Sequence, residues 1–169
     1  MTTRRLPGIG LGVDVHRFGG PGPLWLGGVE IEHSQGLLGH SDGDVLCHAL
    51  ADALLGASGL GDLGERFPST DERWRGASSL DLLRQVGDLI QVEGIEVLGL
   101  DGTVIAEAPR LGPYRQAMAE AVCGVLRLAS GAVSIKVKSS DGLGLTGRGE
   151  GVAALAVARV EAGTRFDRE

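Results

Sequence analysis

Residues 40–56 read HSDGDVLCHALADALLG and carry the clearest helix pattern in the chain. Apolar side chains recur there at helical spacing, at Val45, Leu46, Ala49, Leu50, Ala53 and Leu54. Ser41 is placed to cap the helix, and the two aspartates that follow suit its positive N-terminal end. Asp44, His48 and Asp52 form a polar row at i, i+4 spacing beside the apolar stripe. We therefore predict a helix from Ser41 that packs on a core and has one polar edge.

Strand and helix patterns extend on both sides of this helix. The residues before it predict a strand that ends near His16 and a hairpin that turns at Gly27-Gly28. The residues after it predict a loop at 56–71, helices at 79–92 and 114–128, strands at 95–106, 133–138 and 152–160, and a glycine-rich loop at 139–151. Together they predict an α+β fold in a single domain over residues 1–169, with a mixed β-sheet and three main helices packed on one face.

Composition excludes several classes of protein. Of the 169 residues, 43% are hydrophobic and 22% charged, and no apolar run of ~18 residues indicates a membrane span. A net charge of −6 argues against nucleic-acid binding, which depends on many Lys and Arg contacts. The first residues lack the apolar region of a signal peptide, so we expect a cytoplasmic location. Cys47 and Cys123 fall on helical patterns and are expected to be buried thiols.

Asp14, His16 and His48 are candidate metal ligands. Asp14 and His16 are separated by one residue in a predicted strand, so both side chains leave the same face about 6 to 7 Å apart. Two imidazoles and one carboxylate form the ligand set of an open catalytic zinc site, with a fourth position for water or a substrate oxygen. Spacing alone favours the alternatives, which are an exposed strand pair and a histidine at the edge of a core.

Two other features are candidates for ligand contact. His40 precedes the predicted helix cap, where it can meet a ligand at the positive helix end or serve as a turn residue. The loop at 139–151 contains hydroxyls, one Asp, one Arg and five glycines that let backbone amides approach a ligand, although it lacks the order of a P-loop. On spacing alone, Asp62 and Asp71 are turn residues.

Five blocks of the sequence, taken in order, point to one family. They are GLGVDVHRF at 10–18, the block at 40–56, GDLG at 61–64, FPSTD at 67–71 and TGRGEG at 146–151. In this order they resemble the 2-C-methyl-D-erythritol 2,4-cyclodiphosphate synthases over nearly the whole chain. The resemblance implies a phosphorus-oxygen lyase of the non-mevalonate isoprenoid pathway. In this step 4-diphosphocytidyl-2-C-methyl-D-erythritol 2-phosphate cyclises and expels CMP by intramolecular phosphoryl transfer.

The resemblance also implies roles for individual residues. Asp14, His16 and His48 match the family's zinc ligands, and Mg²⁺ or Mn²⁺ is expected to bridge the substrate phosphates. His40 and Ser139 match catalytic positions. Implied substrate contacts are Asp14, His16, His40, Ser41, Asp62, Leu63, Gly64, Phe67, Pro68, Ser69, Thr70, Asp71, Ala106, Glu107, Ala108, Pro109, Arg110, Leu111, Gly112, Lys138, Ser139, Ser140, Asp141, Leu145 and Arg148.

These implied contacts fall into groups along the chain. Residues 62–64 and 67–71 match segments that contact the erythritol part, and residues 106–112 match the cytosine-binding segment. Residues 138–141 match a strand end that contacts the diphosphate. The family is a homotrimer with active sites between neighbouring subunits, so these groups need not meet within one chain.

The sequence departs from the family pattern at several of these positions. Ser139 and Ser140 stand where threonine is usual, and Asp141 stands where glutamate is usual. The Asp141 side chain is one methylene shorter than glutamate, so the family's contact to the Mg²⁺ or Mn²⁺ ion is carried over to Asp141 less directly than the other contacts. Ser69 replaces a frequent aspartate.

The lining of the family's central trimer channel is also altered. That channel holds an isoprenoid diphosphate in some members. Val13 and Leu145 occupy lining positions that are often aromatic, beside Arg148 and Glu150. The resemblance implies an isoprenoid diphosphate in the channel, but in this chain Val13 and Leu145 would line it with smaller side chains than the usual aromatic ones.

Two other functions are open on the residues alone. A zinc hydrolase would use the same open site to activate water, with Asp44 or Asp62 as the general base. A non-catalytic module would use the metal and the glycine-rich loop to hold a nucleotide or an isoprenoid diphosphate.

Overall fold

A computed structural model describes residues 7–162 of the chain. The domain limits predicted at residues 1 and 169 therefore lie outside the described residues. In chain order the elements are β1 (Ile9–Gly20), β2 (Leu24–Leu26), β3 (Val29–Ile31), β4 (Gly36–Leu37), α1 (Val45–Ser58), α2 (Leu63–Arg66), a 3₁₀ turn (Glu72–Trp74), α3 (Ser79–Val92), β5 (Ile95–Ile105), a second 3₁₀ turn (Gly112–Tyr114), α4 (Arg115–Leu126), β6 (Val133–Lys138), α5 (Gly144–Gly147) and β7 (Gly151–Ala162).

The centre of the fold is a mixed sheet. Within residues 7–162 it has five strands in the order β4-β1-β7-β5-β6. Strand β7 runs antiparallel to β1 and β5, whereas β5 and β6 are parallel. Helix α1 packs on β1 and β7, and α3 and α4 continue the helical layer towards β5 and β6. The predicted mixed sheet, three main helices and hairpin at Gly27-Gly28 are confirmed.

Helix α1 is enclosed by the rest of the domain. Every residue of α1 is buried except His48, Asp52 and Gly56. The sheet lies beneath it, and α3 and β2 contact its sides. His48 and Asp52 of the predicted polar edge therefore reach solvent, together with Gly56 at the next position of the same edge.

Two glycines in β1 let the strand pass unusually close to α1. An added Cβ at Gly10 would lie 2.1 Å from the Ala53 carbonyl oxygen, and one at Gly12 would lie 1.9 Å from the Ala49 carbonyl oxygen. No side chain fits at such distances. The close approach brings the residues that follow in β1, Asp14 and His16, next to α1.

We predict that Gly12→Ala destabilises the protein by about 2 kcal/mol, because the methyl group forces β1 and α1 apart. The check is the free energy of unfolding measured in urea at fixed protein concentration. Gly56→Ala is the matched control, since nothing lies within 4 Å of its added Cβ and alanine is the better helix former. Equal effects of the two substitutions would contradict the close packing at Gly12.

The start of α1 differs from the prediction. Ser41 does not cap the helix, which begins at Val45 with Asp44 as its N-cap. The Asp44 carboxylate accepts four backbone N–H groups, at 2.7 to 3.1 Å, from Gly27, Gly28, Leu46 and Cys47. A fully buried carboxylate with four donors is a better cap here than a serine hydroxyl, and it also ties the hairpin to the helix.

Two segments that were predicted as loops contain single helical turns. Helix α2 lies within 56–71, and α5 lies within 139–151. Strand β4 was not predicted, and α4 begins at Arg115 rather than Tyr114. Such short elements contain too few residues to show a period in the sequence.

The described residues share one apolar core, which includes α1 and the inner faces of β5, β6 and β7. Cys47 and Cys123 are buried free thiols, as predicted. No described helix has the length and apolar character needed to span a membrane.

Candidate metal centre

Asp14, His16 and His48 converge where β1 passes the polar edge of α1. One ligand atom from each lies within 4.8 Å of the other two. Asp14 Oδ2 is 3.0 Å from His16 Nε2 and 2.9 Å from His48 Nδ1. The predicted chelating group is thus assembled from a strand and a helix, and it can hold a divalent metal ion.

The three side chains perturb each other's ionisation. Burial opposes the ionisation of Asp14, but hydrogen bonds from His16 and His48 and their charges outweigh it, so the pKa of Asp14 is well below its usual range. The hydrogen bond to Asp14 raises the pKa of His16, against the opposing effect of burial. An anionic carboxylate between two imidazoles attracts positive charge, which a proton or a metal ion can supply.

The backbone fixes the orientation of the His16 ring. His16 Nδ1 donates a hydrogen bond to the Leu38 carbonyl oxygen, because that oxygen can only accept. The remaining ring nitrogen, Nε2, carries the hydrogen that is donated to Asp14 in the metal-free protein, and it is the nitrogen whose lone pair a metal ion can take when it displaces that proton. The Leu38 N–H in turn donates to the Arg17 carbonyl oxygen at 2.9 Å, which holds this segment against β1. His16 is thereby prepared as a ligand through Nε2.

The ligands border a cavity of about 210 Å³, which we call the metal cavity. Its lining residues are His16, His40, Ser41, His48, Leu63, Phe67, Ser69, Trp74 and Leu82. Seven of these nine are site residues predicted from the sequence. His40 Nε2 donates to the Asp71 carbonyl oxygen at 3.3 Å, which ties the residue before α1 to the 67–71 segment.

Trp74 and Leu82 line the metal cavity but were missed by sequence reasoning. Trp74 lies on a 3₁₀ turn and packs edge-on against Phe67, with ring centroids 5.0 Å apart. Its buried indole N–H has no acceptor among the described residues. A single tryptophan in an irregular segment leaves no periodic signal, and Leu82 lies within the predicted 79–92 helix, where an apolar residue indicates only core packing.

Several predicted contacts hold turns in this chain and do not line the metal cavity. Asp62 caps α2 by accepting the Glu65 N–H at 2.8 Å, and Asp71 caps the following 3₁₀ turn. Gly64, Pro68 and Thr70 lie in the same segments outside the lining.

Asp52 and Asp44 also have structural partners. Asp52, on the polar edge of α1, accepts the Leu63 N–H at 2.7 Å and so holds α2 against the site. Asp44 is fully buried and saturated by backbone donors. It therefore cannot act as the general base of a hydrolase at this metal centre.

A second cavity of about 390 Å³, the strand-end cavity, lies where β5 and β6 end. Its lining is Ala106, Glu107, Pro109, Arg110, Leu111, Gly112, Pro113, Val137, Lys138 and Ser139. Because β5 and β6 are parallel and pair Ile105 with Lys138, both strands end at the same edge. The fold therefore brings the predicted 106–112 segment together with Lys138 and Ser139, and Ala108 lies within that segment.

His40 and Ser139 border different cavities of the chain, the first the metal cavity and the second the strand-end cavity. Ser140 accepts a hydrogen bond from the Thr146 hydroxyl at 2.7 Å, and Asp141 is exposed.

Leu145 borders a third cavity, of about 350 Å³, beside Val15 and Glu150. Arg148 pairs with Glu150 at 2.6 Å. Leu145 therefore borders a different cavity from the metal cavity within a single chain, although His16 lines both.

The mixed sheet and the Asp-His-His cluster define an α+β protein with a candidate site for a divalent metal. The chain belongs to the YgbB family, whose model matches residues 8–161. A 2-C-methyl-D-erythritol 2,4-cyclodiphosphate synthase of Vibrio cholerae is 50% identical over 149 residues, which cover 88% of this chain and 94% of the relative.

Two further relatives agree with this assignment. The bifunctional enzyme IspD/IspF of Sphingopyxis alaskensis is 50% identical over 90% of this chain, which spans only 39% of that enzyme. A solved 2C-methyl-D-erythritol-2,4-cyclodiphosphate synthase in its CDP-bound form superposes with a TM-score of 0.82 at 40% identity, covering 90% of this chain and 99% of that one. The chain thus spans about two fifths of the bifunctional relative and nearly all of the other two.

Proposed function

We propose that this chain converts 4-diphosphocytidyl-2-C-methyl-D-erythritol 2-phosphate to 2-C-methyl-D-erythritol 2,4-cyclodiphosphate and CMP. An oxygen of the 2-phosphate attacks the β-phosphorus of the CDP group, and the bond from that phosphorus to the bridging oxygen breaks as CMP leaves. The observation that carries the proposal is the convergent Asp14-His16-His48 cluster in a chain half-identical to synthases of this name. The reaction belongs to the non-mevalonate isoprenoid pathway.

The residues of the metal centre fit a zinc ion. The set of two imidazoles and one carboxylate leaves a coordination position open, and His16 can offer Nε2 to the ion because its other nitrogen donates to Leu38. When bound by Asp14, His16 and His48, zinc would supply Lewis acidity to a phosphate oxygen. A Mg²⁺ or Mn²⁺ on the substrate phosphates completes the proposed metal set, with Asp141 as its candidate contact.

The metal cavity and the strand-end cavity suit different parts of the substrate. The metal cavity offers His40 and Ser41 to a phosphate, and Leu63, Phe67 and Trp74 to the carbon skeleton. In the strand-end cavity, the backbone of 106–112 can read a cytosine edge while Lys138 and Ser139 face phosphate. We assign His40 and Ser139 as the catalytic pair that organises the transferring group, with in-line positioning as the main contribution of the protein.

A homotrimer would join these parts into complete sites. The sheet face opposite the helices exposes a continuous apolar patch, which consists of Ile9, Leu11, Val13, Val15, Leu155 and Val157, each 39% to 68% exposed. Patches of this kind mark association surfaces. Packing this face against two further copies supports active sites shared between subunits, and it supports a central channel in which Val13, Leu145 and Arg148 can meet an isoprenoid diphosphate.

Incubation of the purified protein with the cytidine substrate tests the activity. We expect CMP and the cyclic diphosphate in equal amounts. A linear hydrolysed product would instead support a zinc hydrolase, and binding without turnover would support a non-catalytic module. The mass in solution tests the assembly, because a monomer at working concentration would contradict shared sites.

The raised pKa of His16 predicts opposite pH trends with and without zinc. In the metal-free protein, protonated His16 beside Asp14 stabilises the fold. This contribution is fully present below pH 6.5, the pKa of His16 in the unfolded chain, and it is lost as the pH rises through the higher pKa of His16 in the folded protein. Zinc must displace that proton, so its apparent affinity falls about tenfold per pH unit below the pKa of His16. Melting temperatures from about pH 6 to 8 check both trends. A zinc-induced shift that does not vary with pH would contradict proton displacement at His16.

A further inference from the structure

The two nitrogens of the His48 ring face different partners. Nδ1 lies 2.9 Å from Asp14 Oδ2, on the side of the metal centre. Nε2 lies 2.8 Å from the hydroxyl of Ser79, the first residue of α3. Ser79 is buried, with 1% of its surface exposed, so it lies behind the ligand and not in the substrate space.

Ser79 is itself held by Asp42. The Ser79 hydroxyl donates to Asp42 Oδ1, and the Ser79 N–H donates to Asp42 Oδ2 at 2.9 Å. Asp42 is anchored in turn, because its own N–H donates to the Ala77 carbonyl oxygen at 3.1 Å. Asp42 and Ser79 therefore clamp the loop before α1 to the start of α3.

This arrangement determines the role of the Ser79 hydroxyl towards His48 Nε2. A serine hydroxyl has one proton, and an ionised carboxylate can only accept, so the Ser79 proton is committed to Asp42. The Ser79 oxygen can then only accept from His48 Nε2–H. When a metal ion takes the Nδ1 lone pair, the hydrogen of the neutral ring must be on Nε2, so the contact with Ser79 suits the metal-bound form of His48.

We infer that Ser79 and Asp42 are positioning residues that hold His48 in the orientation and tautomer required for metal binding. The inference rests on the proposed metal site and deepens it. His16 is prepared by a backbone carbonyl, that of Leu38, whereas His48 is prepared by this serine and aspartate pair. Partners of this kind orient metal-binding histidines and increase their basicity.

Ser41 does not replace Ser79 in this role. Its hydroxyl lies 3.1 Å from His48 Nε2, but it lines the metal cavity and makes no bond to a carboxylate. Its proton can point to Ser79, 3.2 Å away, or to His48. Because no carboxylate holds the Ser41 proton, the Ser41 hydroxyl does not select a tautomer of His48. It does provide a weaker acceptor for the His48 Nε2–H once Ser79 is removed.

The test is the zinc affinity of metal-free protein, measured by competition with a chromophoric chelator. Ser79→Ala is expected to weaken zinc binding by about 10- to 100-fold. Ser79→Thr restores the hydroxyl and should recover most of the affinity. Ser78→Ala is the matched control, because Ser78 is exposed and its side chain makes no capping bond. The melting temperature of each metal-free variant shows whether the fold is kept.

Each outcome decides the inference. Wild-type affinity in Ser79→Ala would overturn it, as would an equal loss in Ser78→Ala. If Ser79→Ala does not fold, Asp42→Asn is measured in its place, because this substitution keeps Ser79 but removes one of the two carboxylate acceptors of Asp42. Unchanged zinc affinity in Asp42→Asn would overturn the inference. Failure of the proposed metal site would look different, since the unaltered protein would then bind no zinc.

Discussion

His48→Ala is expected to lose bound zinc and to lower turnover by about 10³-fold while the fold is kept. The reaction depends on charge stabilisation at phosphorus, and loss of about 4 kcal/mol of that stabilisation corresponds to this factor. His48 is the ligand contributed by α1, and without it Asp14 and His16 make only a two-residue chelate on one strand. Alanine favours the helix, so α1 should remain intact. Metal analysis, circular dichroism and CMP release on the same sample measure the three effects.

His33→Ala is the matched control for His48→Ala. His33 stacks on Phe18 with ring centroids 4.8 Å apart and does not line the metal cavity. Removing this imidazole should leave zinc content and turnover near those of the unaltered protein. A zinc-free His48→Ala protein that still releases CMP at the normal rate would refute the metal-dependent mechanism.

Much of the fold could be predicted because its major elements are long and periodic. The apolar stripe of α1 and the alternation in β6 predict their own secondary structure. Spacing made Asp14, His16 and His48 candidate ligands, and the family resemblance is what favoured them as a metal site over the alternatives. The convergence of these side chains could not be derived from spacing. It depends on Gly10 and Gly12, which bring β1 against α1 in a way that no local pattern specifies.

The residues that prepare the ligands were invisible to sequence reasoning for a related reason. Ser79 reads as an ordinary residue at a helix start, and Leu38 acts through its backbone carbonyl, so its side-chain identity gives no signal. Asp42 was assigned to the helix dipole, whereas the structure pairs it with Ser79, 37 residues away. Partnerships of this length are set by tertiary packing, which a single sequence does not display.

The cap of α1 connects fold and site most directly. Ser41 and Asp44 both have the chemistry of an N-cap, and the sequence prediction chose Ser41. The structure uses Asp44 as the cap, which leaves the Ser41 hydroxyl available at the metal cavity. A buried structural aspartate therefore frees a polar side chain for ligand contact, and the same aspartate sets the position from which α1 delivers His48.

Asp44→Ala is therefore expected to destabilise the metal-free protein by about 4 kcal/mol, well beyond an ordinary cap substitution. Asp44 is fully buried, and its removal leaves four backbone N–H groups of the hairpin turn and the helix start without their acceptor. Each buried donor left unsatisfied costs about 1 to 3 kcal/mol, partly offset by local relaxation. The free energy of unfolding in urea, at fixed protein concentration, measures the loss.

Asp62→Ala provides the comparison, because Asp62 also caps a helix but accepts a single N–H at an exposed site. Its loss should cost about 1 kcal/mol. The difference between the two variants isolates the effect of burial and of the hairpin contacts from that of capping alone. If Asp44→Ala costs no more than Asp62→Ala, then the hairpin and α1 are held together by their apolar contacts, and the four hydrogen bonds of Asp44 add little to the placement of His48.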